Sequence, residues 1–148
     1  MDEKGMSRAQ LSRVLREVRG FQDVIFYDQL PSIIYQKPQS YVVNSDEVGS
    51  EGEHWMVVNF PSNDVAEFFD SLGKGPQFYH PKIVNCLLAN SRSYKFNTKR
   101  LQDKNSTVCG QYCALYLYTR QKGISMEEFL SQFSLDYKSN DDLVAFTT

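Results

Sequence analysis

Apolar and polar residues follow two rhythms along this chain, one helical and one extended. Leu11, Val14, Leu15 and Val18 recur at three and four, the spacing of one helix face. Ser7-Arg-Ala-Gln10 ahead of them has the form of a capping box. Gly20 follows as a stop, so a helix is predicted over 7–19. Asp23–Tyr27 and Ser40–Asn44 are short apolar runs that read as strands, the first ended by Asp28-Gln29-Leu30-Pro31. Ser45–Glu53 is a polar, acidic loop containing Gly49 and Gly52. His54–Phe60 and Val65–Phe69 read as neighbouring strands. Pro61-Ser62-Asn63-Asp64 between them is a turn by composition, so the pair predicts a hairpin.

Gly73-Lys74-Gly75-Pro76 then breaks the chain. Pro81 suits a first helical position, and Ile83, Val84, Leu87 and Leu88 form a stripe, predicting a helix over 81–90. Residues 92–97 read as a strand. Cys109, Cys113, Tyr116 and Leu117 recur at three and four before Gly123, predicting a helix over Cys109–Lys122. Ser125-Met-Glu-Glu128 is a second capping box, opening a helix that carries Phe129, Leu130 and Phe133. Asn140-Asp-Asp142 is expected to cap a last short helix. With no repeat, linker or low-complexity tract, residues 1–148 read as one α+β domain with a small, antiparallel-leaning sheet between helices.

Composition narrows the class. Apolar residues make up 41% of the 148 and aromatics 14%, which excludes a disordered or fibrous chain. The net charge of −2 argues against a dedicated nucleic-acid binder. One stretch runs the other way: Arg92, Lys95, Lys99, Arg100 and Lys104 against Asp103 give a local +4. Such a run reads as a solvated loop or as a surface for phosphate or an acidic partner. Residues 121–148 lean acidic. The start, MDEKGMSRAQ, has no apolar core, and no run approaches the roughly 18 apolar residues of a span, so neither secretion nor a membrane segment is expected. Cys86, Cys109 and Cys113 read as free thiols.

Cys109 is the chemical candidate. It opens the strongest predicted helix, where unpaired N–H groups and the dipole favour an anion and make a thiol more reactive. Gly110 beside it would leave room for a substrate backbone. Cys113, one turn on, reads as core, and the same bland reading is open to Cys109. Zinc is disfavoured because no second close ligand pair accompanies the two cysteines. A thiol nucleophile needs a base, and the base needs an orienting acceptor. His54 starts a strand whose hairpin partner ends near Asp70, so the topology brings the two together; otherwise His54 is a core residue and Asp70 a turn former. His80, beside Pro81, reads as a cap or a solvent-facing residue. Gln102 carries an amide able to donate to an oxyanion, though spacing alone does not single it out.

Together these residues carry a resemblance. His54-Trp55, Phe68-Phe69-Asp70-Ser71-Leu72-Gly73, Gln102 and Cys109-Gly110-Gln111-Tyr112-Cys113 resemble the adenovirus maturation protease (adenain) family. They are more similar still to adenain-like proteases of Polinton/Maverick elements and related small DNA viruses. The order His, Asp or Glu, Gln, Cys is shared with SUMO-specific proteases. The resemblance covers about residues 8 to 120. It implies a papain-like fold in permuted order, a small mixed sheet packed against a central helix bearing the cysteine. Cys109 would be the nucleophile, His54 its base, Asp70 the residue orienting His54, and Gln102 the oxyanion donor. Trp55 would brace the site or flank the substrate channel.

The implied activity is a cysteine endopeptidase that processes viral capsid or core precursors at Gly-Gly or Gly-x-Gly sites during virion maturation. The location implied is the host nucleus or cytoplasm and the virion. The alternatives are a deconjugating protease for SUMO or ubiquitin-like tails, a silent binding module on a protease fold and, last, a DNA-binding adaptor. No cofactor is required by the sequence. The resemblance suggests a viral peptide activator, but the position that would pair with it falls near Ser91, and Cys86 does not align, which argues against a covalent one. The acidic balance likewise argues against DNA as a second activator.

Overall fold

The structure, a computed structural model, describes residues 5–45, 54–104 and 106–147. The predicted loop beyond Ser45, with Gly49 and Gly52, lies outside the described residues, as do Met1–Lys4 and Asn105. One five-stranded sheet runs β1 (Phe21–Phe26), β2 (Gln39–Asn44), β3 (Trp55–Phe60), β4 (Val65–Phe69) and β5 (Ser93–Phe96), in that spatial order. Among the described residues, five α-helices accompany it: α1 (Arg8–Leu15), α2 (Pro81–Ala89), α3 (Cys109–Gln121), α4 (Met126–Ser131) and α5 (Tyr137–Thr147).

The sheet is mixed rather than mainly antiparallel. β2–β3 and β3–β4 pair antiparallel, whereas the outer pairs β1–β2 and β4–β5 are parallel. The cause lies in the connections. A parallel pair needs a crossover of about a dozen residues. Residues 27–38 provide one, and the segment carrying α2 provides the other.

Strand periodicity decides which layer each side chain joins. Val24, Val42, Val57 and Phe69 face α1, α3 and α4. Their neighbours Ile25, Tyr41, Val43, Met56, Val58 and Phe68 face the opposite layer with α2. β3 is therefore buried on both faces, which explains its unbroken apolar run. Phe69 stacks on Tyr116 of α3 at 4.5 Å, with Phe129 of α4 edge-on to both rings. A buried ion pair clamps the same two elements. Glu67 of β4 takes Arg120 Nη2 at 2.6 Å, the Tyr116 hydroxyl at 2.6 Å and Asn59 Nδ2 at 3.0 Å. Burial would lift the Glu67 carboxyl, but the Arg120 guanidinium and these hydroxyl and amide donors hold it below its ordinary range. This clamp sets the height of α3 over the β3–β4 hairpin.

Local signals in the sequence translate directly at several ends. Ser7 and Gln10 form the expected reciprocal box, and Ser125 caps α4 through the Glu128 N–H. His80 caps α2, accepting from Lys82 N, with Pro81 in the first turn. Two readings change. α1 stops at Leu15 instead of residue 19, although Val18 stays buried; Gly20, at φ +83°, then turns the chain into β1. α5 starts at Tyr137, not after a cap at Asn140–Asp142. Asp136 is the capping side chain, accepting from Ser139 N at 3.2 Å. Asn140 is buried, donating to the carbonyls of Leu101 and Ser134.

The basic stretch is mostly tied down from within. Lys99 Nζ caps the carbonyls of Leu130 and Phe133, Arg100 lies 4.2 Å over the Tyr137 ring, and Lys95 pairs with Glu127. No helix of the described residues is long and apolar enough to cross a membrane.

Candidate active site

The hairpin register explains how His54 and Asp70 meet. Val57 pairs with Phe69 and Val58 with Phe68, so Asp70, one residue beyond β4, falls level with Met56. His54 sits one residue before β3, not in it. From these flanking positions His54 Nε2 reaches Asp70 Oδ1 at 2.6 Å. Asp70 is fully buried, and only 15% of the His54 side chain is exposed. The other side of the ring hydrogen-bonds Cys109; with Nε2 engaged by Asp70, Nδ1 is the nitrogen left for the sulfur.

Cys109 opens α3, as expected, and is 4% exposed. Its Sγ accepts from the Trp55 backbone N–H at 3.4 Å. The β3 entry thus delivers both the His54 ring and a backbone contact to the sulfur. Burial disfavours a charged His54, but hydrogen bonds to Asp70 and Cys109 and their charge outweigh it, raising the ring from 6.5 to about 9. His54 therefore carries its proton through neutral pH.

Gln102 is held rigidly in the same cleft. Ser71 Oγ donates to Gln102 Oε1 at 2.5 Å, and Gln102 Nε2 points at Ser106 Oγ (2.9 Å) and Ser106 O (3.1 Å). Both Leu101 N and Gln102 N donate to Ser71 O. Gly73, at φ +76°, lets this strand of chain approach: a Cβ there would stand 2.8 Å from Thr98 O and 2.9 Å from Arg100 N. The described structure thus brings His54, Asp70, Gln102 and Cys109 into one locale.

His54, Trp55, Leu72, Gln102, Lys104 and Cys109 line a cleft of about 520 Å³. Gly5, Met6 and Ser7, ahead of α1, and Ser106 and Thr107 line it too. Trp55 is thus part of the cleft as well as packed against the core. Gly110 is not the opening the sequence suggested. A Cβ there would meet Leu11 Cδ1 at 3.2 Å and Met6 Cβ at 3.4 Å, so its bareness serves the packing of α1 on α3. Among the described residues, no cluster of three or more His, Cys, Asp or Glu side chains could hold a metal ion.

Three residues escaped the sequence reading. Asn97, at the end of β5, holds Asp70 by its backbone: its Oδ1 accepts from Asp70 N and its Nδ2 donates to Asp70 O. Tyr79 donates its hydroxyl to Asp70 Oδ2 at 2.5 Å. Ser106 holds the Gln102 amide. No local motif marks them, because each acts across a long sequence separation or from an irregular loop. The remaining thiols are buried: Cys113 is pushed well up by burial, and Cys86, donating to Pro31 O, is pushed up to about 11.

No protein-family model matches the chain, and no curated protein matches it in sequence. The adenain resemblance therefore rests on the order of motifs in this chain. Among solved structures, the central domain of an uncharacterised Legionella pneumophila protein is similar at a TM-score of 0.59 and 12% identity, over 97% of this chain and 93% of that one. The ASFV pS273R protease is similar at a TM-score of 0.44 and 22% identity, over 72% of this chain and 43% of that one, so this chain spans less than half the protease's length. The chain shares a mixed α/β fold with the Legionella domain.

Proposed function

We propose that this chain is a cysteine endopeptidase of the adenain type, on a permuted papain-like fold. The observation that carries the reading is the bonded series Asp70–His54–Cys109, with His54 in contact with both partners at the mouth of a cleft. A structural histidine needs one acceptor; this one bridges a buried carboxylate and a thiol at a helix start.

In the proposed reaction the Cys109 thiolate adds to the scissile carbonyl, forming the S–C bond and pushing charge onto oxygen. Gln102 Nε2 and the Cys109 N–H are the donors for that charge, with Gln102 exchanging its bond to Ser106 for the oxyanion. The C–N bond then breaks, and His54 gives its proton to the leaving amine. Water next attacks the thioester, His54 takes a proton from it, and the thiolate leaves. These steps use side chains, one backbone N–H and water.

The motif resemblance supports viral precursor polypeptides as substrates, cut beside glycine. Any peptide activator would bind without a disulfide to Cys86, whose thiol is buried. The internal engagement of Lys95, Lys99 and Arg100 supports a mechanism without DNA. The test is cleavage of a fluorogenic Gly-Gly peptide by the wild type and by Cys109→Ala, with iodoacetamide labelling of each cysteine. Wild-type cleavage that Cys109→Ala abolishes, with labelling at Cys109 slowed in His54→Ala, supports the reading. Cleavage by a folded Cys109→Ala variant defeats it.

A further inference from the structure

Behind the bonded pair lies a residue that the reaction above does not use. Tyr79 follows a single 3₁₀ turn, Pro76–Phe78, and its backbone N–H closes that turn onto Pro76 O at 3.1 Å. The next residue, His80, caps α2 and stacks on Tyr27 with ring centroids 4.4 Å apart. Tyr79 is thus fixed from both sides. Its ring packs on Phe68 at 6.1 Å and lies near-parallel to His54 at 6.3 Å. It is not among the described residues lining the cleft.

Its hydroxyl completes the Asp70 carboxylate. Oδ1 takes His54 Nε2 at 2.6 Å and Leu72 N at 2.9 Å; Oδ2 takes Tyr79 OH at 2.5 Å. In a site with no exposure at Asp70, an acceptor oxygen without a donor is costly. We infer that Tyr79 is a positioning residue of this site, whose hydroxyl fixes the Asp70 carboxylate and shares its charge, keeping His54 aligned yet able to release its proton. The inference rests on the protease reading for its catalytic consequence, but its electrostatic half is independent of any substrate.

The sign follows from the charge balance. A donor stabilises the carboxylate more when the neighbouring imidazole is neutral than when imidazolium already compensates it. Removing the hydroxyl therefore penalises neutral His54 more, and the ring holds its proton harder. A purely structural role predicts the reverse: a loosened loop would let Asp70 drift from the ring, and His54 would lose its partner. The ionisable groups facing the pair are Asp70, Cys109 and Tyr79 itself, with Cys113 beneath.

Tyr79→Phe keeps the ring and its packing and deletes only the donor. With two histidines in the chain, imidazole ¹⁵N NMR can follow both through a pH titration. The expected result is a His54 titration raised by about half a unit or more, with His80 unmoved and kcat on the Gly-Gly peptide lowered about tenfold at little change in KM. A His54 titration that falls toward 6.5, or one that stays put with unchanged kcat, overturns the inference. Tyr79→Leu, which removes donor and stacking together, checks that the rise belongs to the hydroxyl: it must not fall below wild type. Should the wild type cleave nothing, the protease reading fails, while the NMR shift still decides the link from Tyr79 to His54.

Discussion

Asp70→Asn puts the central ion pair to a quantitative test. The carboxylate is fully buried and sits 2.6 Å from His54 Nε2. It is a principal reason that His54 is raised from 6.5 to about 9. At about 1.36 kcal/mol per unit, that difference is worth about 3 kcal/mol of folding stability. The sign is that of a raised base: the native state binds the proton more tightly than the unfolded chain. The contribution is therefore complete below pH 6.5 and is lost as pH rises through about 9. In Asp70→Asn the burial of His54 is left opposed only by Cys109, so its titration should drop to about 6.5 or lower. Urea unfolding at pH 6 and at pH 10 measures the consequence. The variant should lose about 3 kcal/mol more relative to wild type at pH 6 than at pH 10. The ¹⁵N titration of His54 supplies the cause directly. An equal deficit at both pH values, or a His54 in the variant still titrating near 9, would refute the assignment of Asp70 as the partner that holds the proton.

Two further outcomes test other parts of the structure. Gln102→Ala should raise the barrier by about 2.7–4 kcal/mol, seen as a fall in kcat with KM little changed; an intact kcat in the folded variant removes Gln102 from the oxyanion site. Arg120→Met strips the guanidinium from buried Glu67, 2.6 Å away, and should cost about 3–5 kcal/mol in urea unfolding, less whatever Tyr116 and Asn59 continue to supply; a loss below about 1 kcal/mol, the range of a surface pair, would show that the clamp does not hold α3 to the sheet.

Much of the site could be read in the chain because its parts obey local rules. The two short apolar runs and the turn residues between them are enough to place a hairpin, and the register it takes brings Asp70 level with Met56, within reach of His54. Capping at Ser7, His80 and Ser125 follows from side chains bonding backbone N–H groups a few residues away, an interaction visible at short range. Asp136 obeys the same rule, but the more conspicuous run Asn140-Asp-Asp142 masked it. Gly110 was misread for a related reason: a missing side chain announces close approach without saying what approaches, and here it is Leu11 of α1.

By itself, then, the sequence determined the elements, their amphipathic faces, the hairpin and the candidate residues His54, Asp70, Gln102 and Cys109. Gln102 rests on the motif resemblance alone; the others depend on periodicity and on bonds between near neighbours along the chain. Tertiary structure alone decided the parallel outer pairings, the seating of α3 by the Glu67–Arg120 clamp, and the contact of His54 with Cys109. It alone placed Asn97 on the backbone of Asp70, Ser106 against the Gln102 amide and Tyr79 on the buried carboxylate. Each of these joins residues distant in sequence or set in irregular loops. A hydrogen bond across such a distance leaves no period in the chain, since its geometry exists only once the layers have packed.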